Sequence, residues 1–361
     1  MVSYRSGLRV FSSHPRRWLS LITAGLAALG LTATGATGPA APVANAAGCS
    51  LQNPIVASGA DPSVWYGNNL YYLVQSDGAA SINLRASSTM AGLGSASPHT
   101  IWTAPAGTDH SAETWAPELE NLNGQWVIYY AADNGNNNNH RIFAIKANTS
   151  DPMGSWSFVG KIADSTNQWA IDPTVFYYNT AWWMLWSGTP TGNGGSAPQQ
   201  IYIAHMSDPF HIDQDYRRLI ANPDQPWETS VAAIEEGPEA WIHNGKLTIV
   251  YNANASWTDS YALGELVYNG GDMTIYQSYT KRGPIFASAN GVYGPGGESI
   301  PVPGPNGVTW NIYHGDTSSG AGWNGRKIFA QPMSWNSDNT PNFGAPTGLS
   351  SYDESTGARC S

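Results

Sequence analysis

Five times along the chain a strand-like segment, usually passing through a proline, leads about six residues later into a tight turn and then into alternating aromatic and aliphatic residues. The turns are Asn68-Asn69, Asn123-Gly124, Asn179-Thr180, Asn244-Gly245 and Asn306-Gly307. Runs such as Trp126-Val127-Ile128-Tyr129-Tyr130 and Trp182-Trp183-Met184-Leu185-Trp186 follow them. Asparagine and glycine accept the positive φ of a hairpin turn, and period-2 alternation marks a strand with two different faces. The unit recurs roughly every 55–65 residues, enough for one four-stranded antiparallel sheet with its loops but too little for a domain. Five such sheets around an axis make an all-β, five-bladed β-propeller. Beyond residue 47 no long stretch carries a 3.6-residue apolar stripe, so long helices are not expected. Most of the 16 Trp and 18 Tyr should then fill the seams between blades.

Pro62, Pro117, Pro173 and Pro238 stand six residues before the first four turn asparagines, with Asp61, Glu118, Asp172, Glu236 and Glu239 crowded against them. The fifth repeat lacks a proline at that spacing. Counting back from its turn puts Glu298 where Glu236 stands in the fourth.

The first 47 residues read as an export signal. Arg5, Arg9, Arg16 and Arg17 precede the apolar stretch from Trp18 to Leu31, and a small-residue region ends in Ala44-Asn45-Ala46. Arg16-Arg17 also fits a twin-arginine signal, with an ordinary secretory signal as the equal alternative. Residues 48–361 remain as one domain. Without the signal, 16 − 4 = 12 basic residues face 26 acidic ones, a formal charge of −14. Nucleic-acid binding rests on neutralising phosphates and is excluded on this balance, whereas a neutral polysaccharide meets no such repulsion. No membrane association is expected once the signal is removed. Cys49 and Cys360 stand at the two ends of the domain in a protein bound for an oxidising compartment. They are expected to pair and lock the ring, adding roughly 5 kcal/mol in the chain-entropy picture.

The innermost strands of a propeller run side by side around the axis, so acids near the starts of several of them converge at one end of the central funnel. Asp61, Asp172 and Glu236 are such acids, from the first, third and fourth blades. Inverting hydrolysis of a glycosidic bond needs one carboxylate to activate water and one carboxylic acid to protonate the leaving oxygen, a geometry that facing blades supply. A third acid nearby raises the donor's pKa by like-charge repulsion. Taken singly, an Asp-Pro turn is as often structural, the aspartate bonding its own backbone.

Ala60-Asp61-Pro62, Thr114-Trp115-Ala116-Pro117-Glu118-Leu119, Ala170-Ile171-Asp172-Pro173-Thr174-Val175-Phe176, Glu236-Gly237-Pro238-Glu239, Gly291-Val292-Tyr293-Gly294-Pro295-Gly296 and Tyr313-His314 together resemble glycoside hydrolase family 43, over nearly all of the chain after the signal. The resemblance implies an inverting five-bladed propeller with Asp61 as general base, Asp172 as orienting residue and pKa modulator, and Glu236 as general acid. Asp133-Asn134-Gly135 leading to His140-Arg141, and Trp257-Thr258-Asp259-Ser260-Tyr261-Ala262-Leu263-Gly264, look most like secreted exo-acting α-L-arabinofuranosidases of α-1,5-linked arabinan. By the same resemblance Arg326 reaches the active centre, with a surface salt bridge as the alternative, and Glu118 and Trp257 join the substrate-binding set. Trp115 offers a face for a sugar ring or packs between blades. The Asn136 to Asn139 tract otherwise reads as a flexible surface loop.

No cofactor is expected for catalysis. His314 matches a histidine that family arabinanases place beside a calcium or other ion on the axis, which makes it a candidate structural ligand; a hydrogen-bonded core histidine is the alternative. Gly294-Pro295-Gly296-Gly297-Glu298 departs from the family's Gly-Pro-Gly-His. The expected partner is arabinan or its oligosaccharides, met by a monomer. Endo-acting arabinanase, xylan-directed hydrolase and non-catalytic carbohydrate-binding propeller are the competing readings.

Overall fold

The computed structural model describes residues 48–194, 198–213 and 217–360; the expected export signal lies outside them. Five antiparallel sheets follow one another along the chain, over 60–103, 112–162, 170–221, 235–286 and 293–342. They are blades I to V of a five-bladed propeller. Blades III and V each carry one short strand beyond the usual four.

Alternation along the second strands explains why the sheets pack in a ring. In blade I, Tyr71 and Leu73 enter the cluster shared with blade V, while Tyr72 and Val74 enter the one shared with blade II. In blade II, Trp126, Ile128 and Tyr130 face blade I, while Val127 and Tyr129 face blade III. The remaining seams, III with IV and IV with V, have clusters of their own. Each seam is a core between two sheets, which is why the aromatic load of the sequence is mostly buried, with Trp126, Trp241 and Trp310 almost wholly enclosed.

The ring is closed at the chain ends. Leu51–Gln52 pairs antiparallel with Ser351–Tyr352, Val56 bridges to Ile328 of blade V, and Cys49 is disulfide-bonded to Cys360 across 311 residues. The expected pairing therefore forms, beside a small sheet that already joins the termini.

The prolines that crowd the acids mark one recurrent device. Asp61, Ala116, Asp172, Gly237 and Gly294, each immediately before a proline, have φ of 47°, 40°, 53°, 55° and 54°. The innermost strand of every blade slips register there: between Ala60 and Ser63, Trp115 and Glu118, Ile171 and Thr174, Glu236 and Glu239, and Tyr293 and Gly296. A proline restricts the residue before it, and at Ala and Asp a positive φ adds strain. Such bulges re-aim side chains, here into the mouth of the funnel.

Blade V corrects the repeat read from the sequence. Its bulge proline is Pro295, and its innermost strand is split into Tyr293–Gly296 and Val302–Pro303, both paired with Thr309–Asp316. Gly296 pairs with His314 and Val302 with Trp310, so six steps on one strand face four on the other. Two residues are looped out, and counting back from the Asn306 turn misplaces Glu298. That residue is buried in the looped-out segment and does not occupy the register of Glu236.

Candidate active site

At the bulged ends of the innermost strands lies a cavity of about 800 Å³ that Asp61, Asp172 and Glu236 line together. Trp115, Glu118, Trp257 and Arg326, the other residues expected to contact substrate, line the same cavity.

Asp61 is the most tightly held of the acids. Its Oδ2 accepts a hydrogen bond from the Ser76 hydroxyl at 2.7 Å, and its amide donates to His314 Nδ1 at 3.1 Å. Its Oδ1 lies 3.3 Å from that nitrogen and 3.7 Å from Arg326. Burial works against the charge, but His314, Arg326 and Ser76 outweigh it and hold this carboxyl far below the usual range. Glu236 stands in the opposite regime. Burial and the negative Asp61 push it up to about 7, although Tyr261 donates its hydroxyl to Oε1 at 2.9 Å. Asp172 is raised well above its ordinary value, first by burial and then by the charges of Glu236 and Asp61, while its Oδ2 accepts the Gly237 amide at 3.0 Å. This last bond ties the third acid to the bulge beside Glu236.

Glu118 sits deeper. It is buried against Glu239, and burial raises it to about 7. Glu239 accepts the Thr174 hydroxyl at 3.3 Å, so these acids form part of a hydrogen-bonded floor. Trp115 stacks on His140 of its own blade, centroids 3.9 Å apart, and lines the cavity as well. Arg326 points at Asp61 and not at a surface acid.

His314 is fully buried and stacks parallel to Tyr261 behind the acids. Its Nδ1 is engaged by Asp61. Among the described residues its buried Nε2 has no hydrogen-bond partner, and no three ligand atoms of His, Cys, Asp or Glu converge on it. The departure at Gly297 has a steric reason. With φ of 54°, a Cβ at this position would collide with the His314 ring and stand 2.8 Å from Asp61 Oδ1, so an imidazole does not fit this backbone.

Several contributors lie outside the sequence expectations. Ser76 pairs across its blade with Ala60, a relation invisible before register is known. Trp169 lines the cavity and donates its indole N–H to the Asn137 carbonyl at 2.9 Å. Trp323, 57% exposed, meets the 42% exposed Trp257 edge-on at 5.4 Å and donates to Ser256 Oγ at 3.1 Å. Asp259 clasps the two loops by accepting from Ser319 Oγ and the Gly320 amide. A tryptophan in the turn Gly322-Trp323-Asn324-Gly325 is the sequence signal that points to Trp323.

A ring of bulged strand ends that gathers carboxyls of opposed ionisation in one cavity is the architecture of a glycosidase. Residues 51–341 match the glycosyl hydrolases family 43, and the chain belongs to this family of glycoside hydrolases. It is 32% identical over 351 residues to an extracellular exo-α-(1→5)-L-arabinofuranosidase of Streptomyces avermitilis, covering 92% of this chain and 70% of that protein. A protein of the same description from Streptomyces chartreusis is 28% identical, with 81% and 90% covered. The solved structure of an α-L-arabinofuranosidase from Lactobacillus brevis superposes with a TM-score of 0.76 at 30% identity, covering 83% of this chain and 98% of that one.

Proposed function

We propose that the protein is a secreted, exo-acting, inverting α-L-arabinofuranosidase that releases L-arabinose from the non-reducing ends of α-1,5-linked arabinan and its oligosaccharides. Residues 1–47 serve as the export signal and 48–361 as the catalytic domain, acting as a monomer. The observation that carries the mechanism is the contrast in surroundings between Asp61, held by Ser76, His314 and Arg326, and Glu236, which lines the same cavity with no ion-paired cation among the described residues. Environments that push two carboxyls apart define a base and an acid. Asp61, charged, takes a proton from a water whose oxygen attacks the anomeric carbon. Glu236, protonated, gives its proton to the departing glycosidic oxygen, so the bond to the leaving sugar breaks as the bond to water forms. Asp172 steadies the bulge beside Glu236 through the Gly237 amide and so orients the donor.

The chemistry needs no cofactor. His314 is read as the residue that positions Asp61, whose amide donates to its Nδ1, while its buried Nε2 has no hydrogen-bond partner among the described residues.

Linear α-1,5-arabinan sampled early by ion chromatography tests the substrate and the exo action, and proton NMR of the first product tests the stereochemistry. Arabinose alone, appearing first as the β-anomer, is expected. An early ladder of oligosaccharides would make this an endo enzyme, and α-anomer first would exclude inversion.

Glu236 shares the cavity wall with Ser256, the residue before Trp257 and the acceptor of the Trp323 indole. Since the acid faces the leaving group, this tryptophan pair borders the sugar that departs. Trp323→Ala is expected to raise KM for arabinotriose roughly 2- to 12-fold, the equivalent of about 0.5–1.5 kcal/mol of ring contact. KM for an aryl arabinofuranoside, whose ring takes the place of the departing sugar, should rise as well, and an unchanged KM for arabinotriose would remove Trp323 from the site.

A further inference from the structure

The wall of blade II holds a second convergence of ligand atoms. Glu113 sits at the start of the innermost strand Ala112–Leu122, Asp133 ends the next strand Gln125–Asp133, and His140 follows the short turn Asn137–Asn139. One atom from each side chain lies within 4.8 Å of the others. Asp133 and His140 are fully buried.

The hydrogen bonds around this trio leave it one cation short. Asp133 Oδ1 accepts the Gly135 amide at 2.8 Å. His140 Nε2 lies 3.1 Å from the backbone carbonyl of Glu113, and because a carbonyl only accepts, the ring's proton sits on Nε2. Nδ1 then turns a lone pair toward Asp133 Oδ2, 3.2 Å away, and neither atom has a hydrogen-bond partner. Two lone pairs facing each other out of water repel unless something positive lies between them. Protons alone would have to be two, one more on the ring and one on Glu113, whose carboxyl is pushed up by Asp133, with no lysine or arginine ion-paired to either acid among the described residues.

A metal ion satisfies all three groups. At metal–ligand distances of about 2.0–2.2 Å, neighbouring ligand atoms stand roughly 3–3.5 Å apart, which the separation of Nδ1 from Oδ2 matches. A ring N–H given to a backbone carbonyl is the usual support of a metal-binding histidine, since it fixes the tautomer. One imidazole with two carboxylates suits a first-row transition ion, whereas calcium asks for six to eight oxygens. We propose that Glu113, Asp133 and His140 bind one divalent transition cation of the zinc type, which enters past Glu113, the one partly exposed ligand.

This cation has a structural role. The His140 ring is the surface on which Trp115 stacks, and the Asn137 carbonyl in the same loop holds the Trp169 indole. Binding ties the loop of residues 133–140 to the innermost strand and sets the faces of both tryptophans at the cavity. The asparagine tract, an expected flexible loop, thereby becomes a fixed wall.

The test uses purified protein stripped with chelator and titrated calorimetrically with Zn²⁺, Mn²⁺ or Ca²⁺ as chlorides. One Zn²⁺ per chain is expected, with Ca²⁺ failing to compete, and anomalous diffraction at the zinc edge should place it between the three side chains. Glu113→Gln, at the least buried ligand, should weaken Zn²⁺ binding at least about 10-fold with an unchanged circular dichroism spectrum, and Asp133→Asn should abolish it. No zinc bound, or zinc bound equally by both variants, would overturn the site. So would NMR showing His140 protonated on both nitrogens whether or not zinc is present, because the second proton would then fill the gap.

Discussion

Glu236→Gln is expected to lower kcat on arabino-oligosaccharides by roughly 10²–10⁴-fold, and Asp61→Asn by a similar factor, with both variants folded. The two losses differ in what repairs them. An aryl arabinofuranoside with a very acidic leaving phenol departs without being protonated, so it should restore much of the rate to Glu236→Gln. It should restore nothing to Asp61→Asn, where water still lacks its base. Neither change should unfold the protein, because each side chain faces the cavity and the seams that hold the blades together lie elsewhere. Rates with both substrate types, beside circular dichroism spectra, check the pair. Full activity in either variant would sink the role assignment, and rescue of Asp61→Asn instead of Glu236→Gln would exchange the roles.

What the sequence made legible follows from which signals are local. Turn residues and period-2 runs are local, so the blades, their order and the seam-filling aromatics could be read directly. Asp61, Asp172 and Glu236 were legible because each sits beside a proline in a strand whose place in the ring the repeat defines. What resisted reading depends on register and loop shape. Ser76 reaches Asp61 only because Ala60 and Ser76 are paired across the hairpin. Trp323 reaches the cavity through a loop clasped by Asp259 from another blade. Glu298 was misplaced because counting assumes equal hairpins, and two residues loop out of blade V. His314 likewise could be matched by position, but only its contact with the Asp61 amide shows which ring nitrogen is engaged.

The pH dependence of kcat/KM should expose the coupling between Asp172 and Glu236. Both carboxyls are raised by burial and by the charge of Asp61, and the charge that Glu236 acquires makes Asp172 harder still to ionise. They therefore titrate as a pair, the first proton leaving near 7 and the second held to higher pH by the charge the first has left behind. Glu236 must be protonated to act, so activity falls on the alkaline side as Glu236 ionises, near 7. Asp61 stays charged far into acid, so no acid limb arises from the base within the working range. In Asp172→Asn a neutral amide replaces a carboxyl that is still protonated when Glu236 ionises, so the alkaline limb should stay near 7 and the loss should fall on kcat. Tyr261→Phe, in contrast, should move the limb. Its hydroxyl donates to Glu236 and favours the charged form, so removing it should raise the limb. Profiles of kcat/KM for the two variants against the parent, on an aryl and an oligosaccharide substrate, give the comparison. A limb moved down by Asp172→Asn would mean that Asp172 is charged beside Glu236 and acts through its proton, whereas an unmoved limb with a lowered kcat leaves Asp172 the work of holding the Gly237 amide.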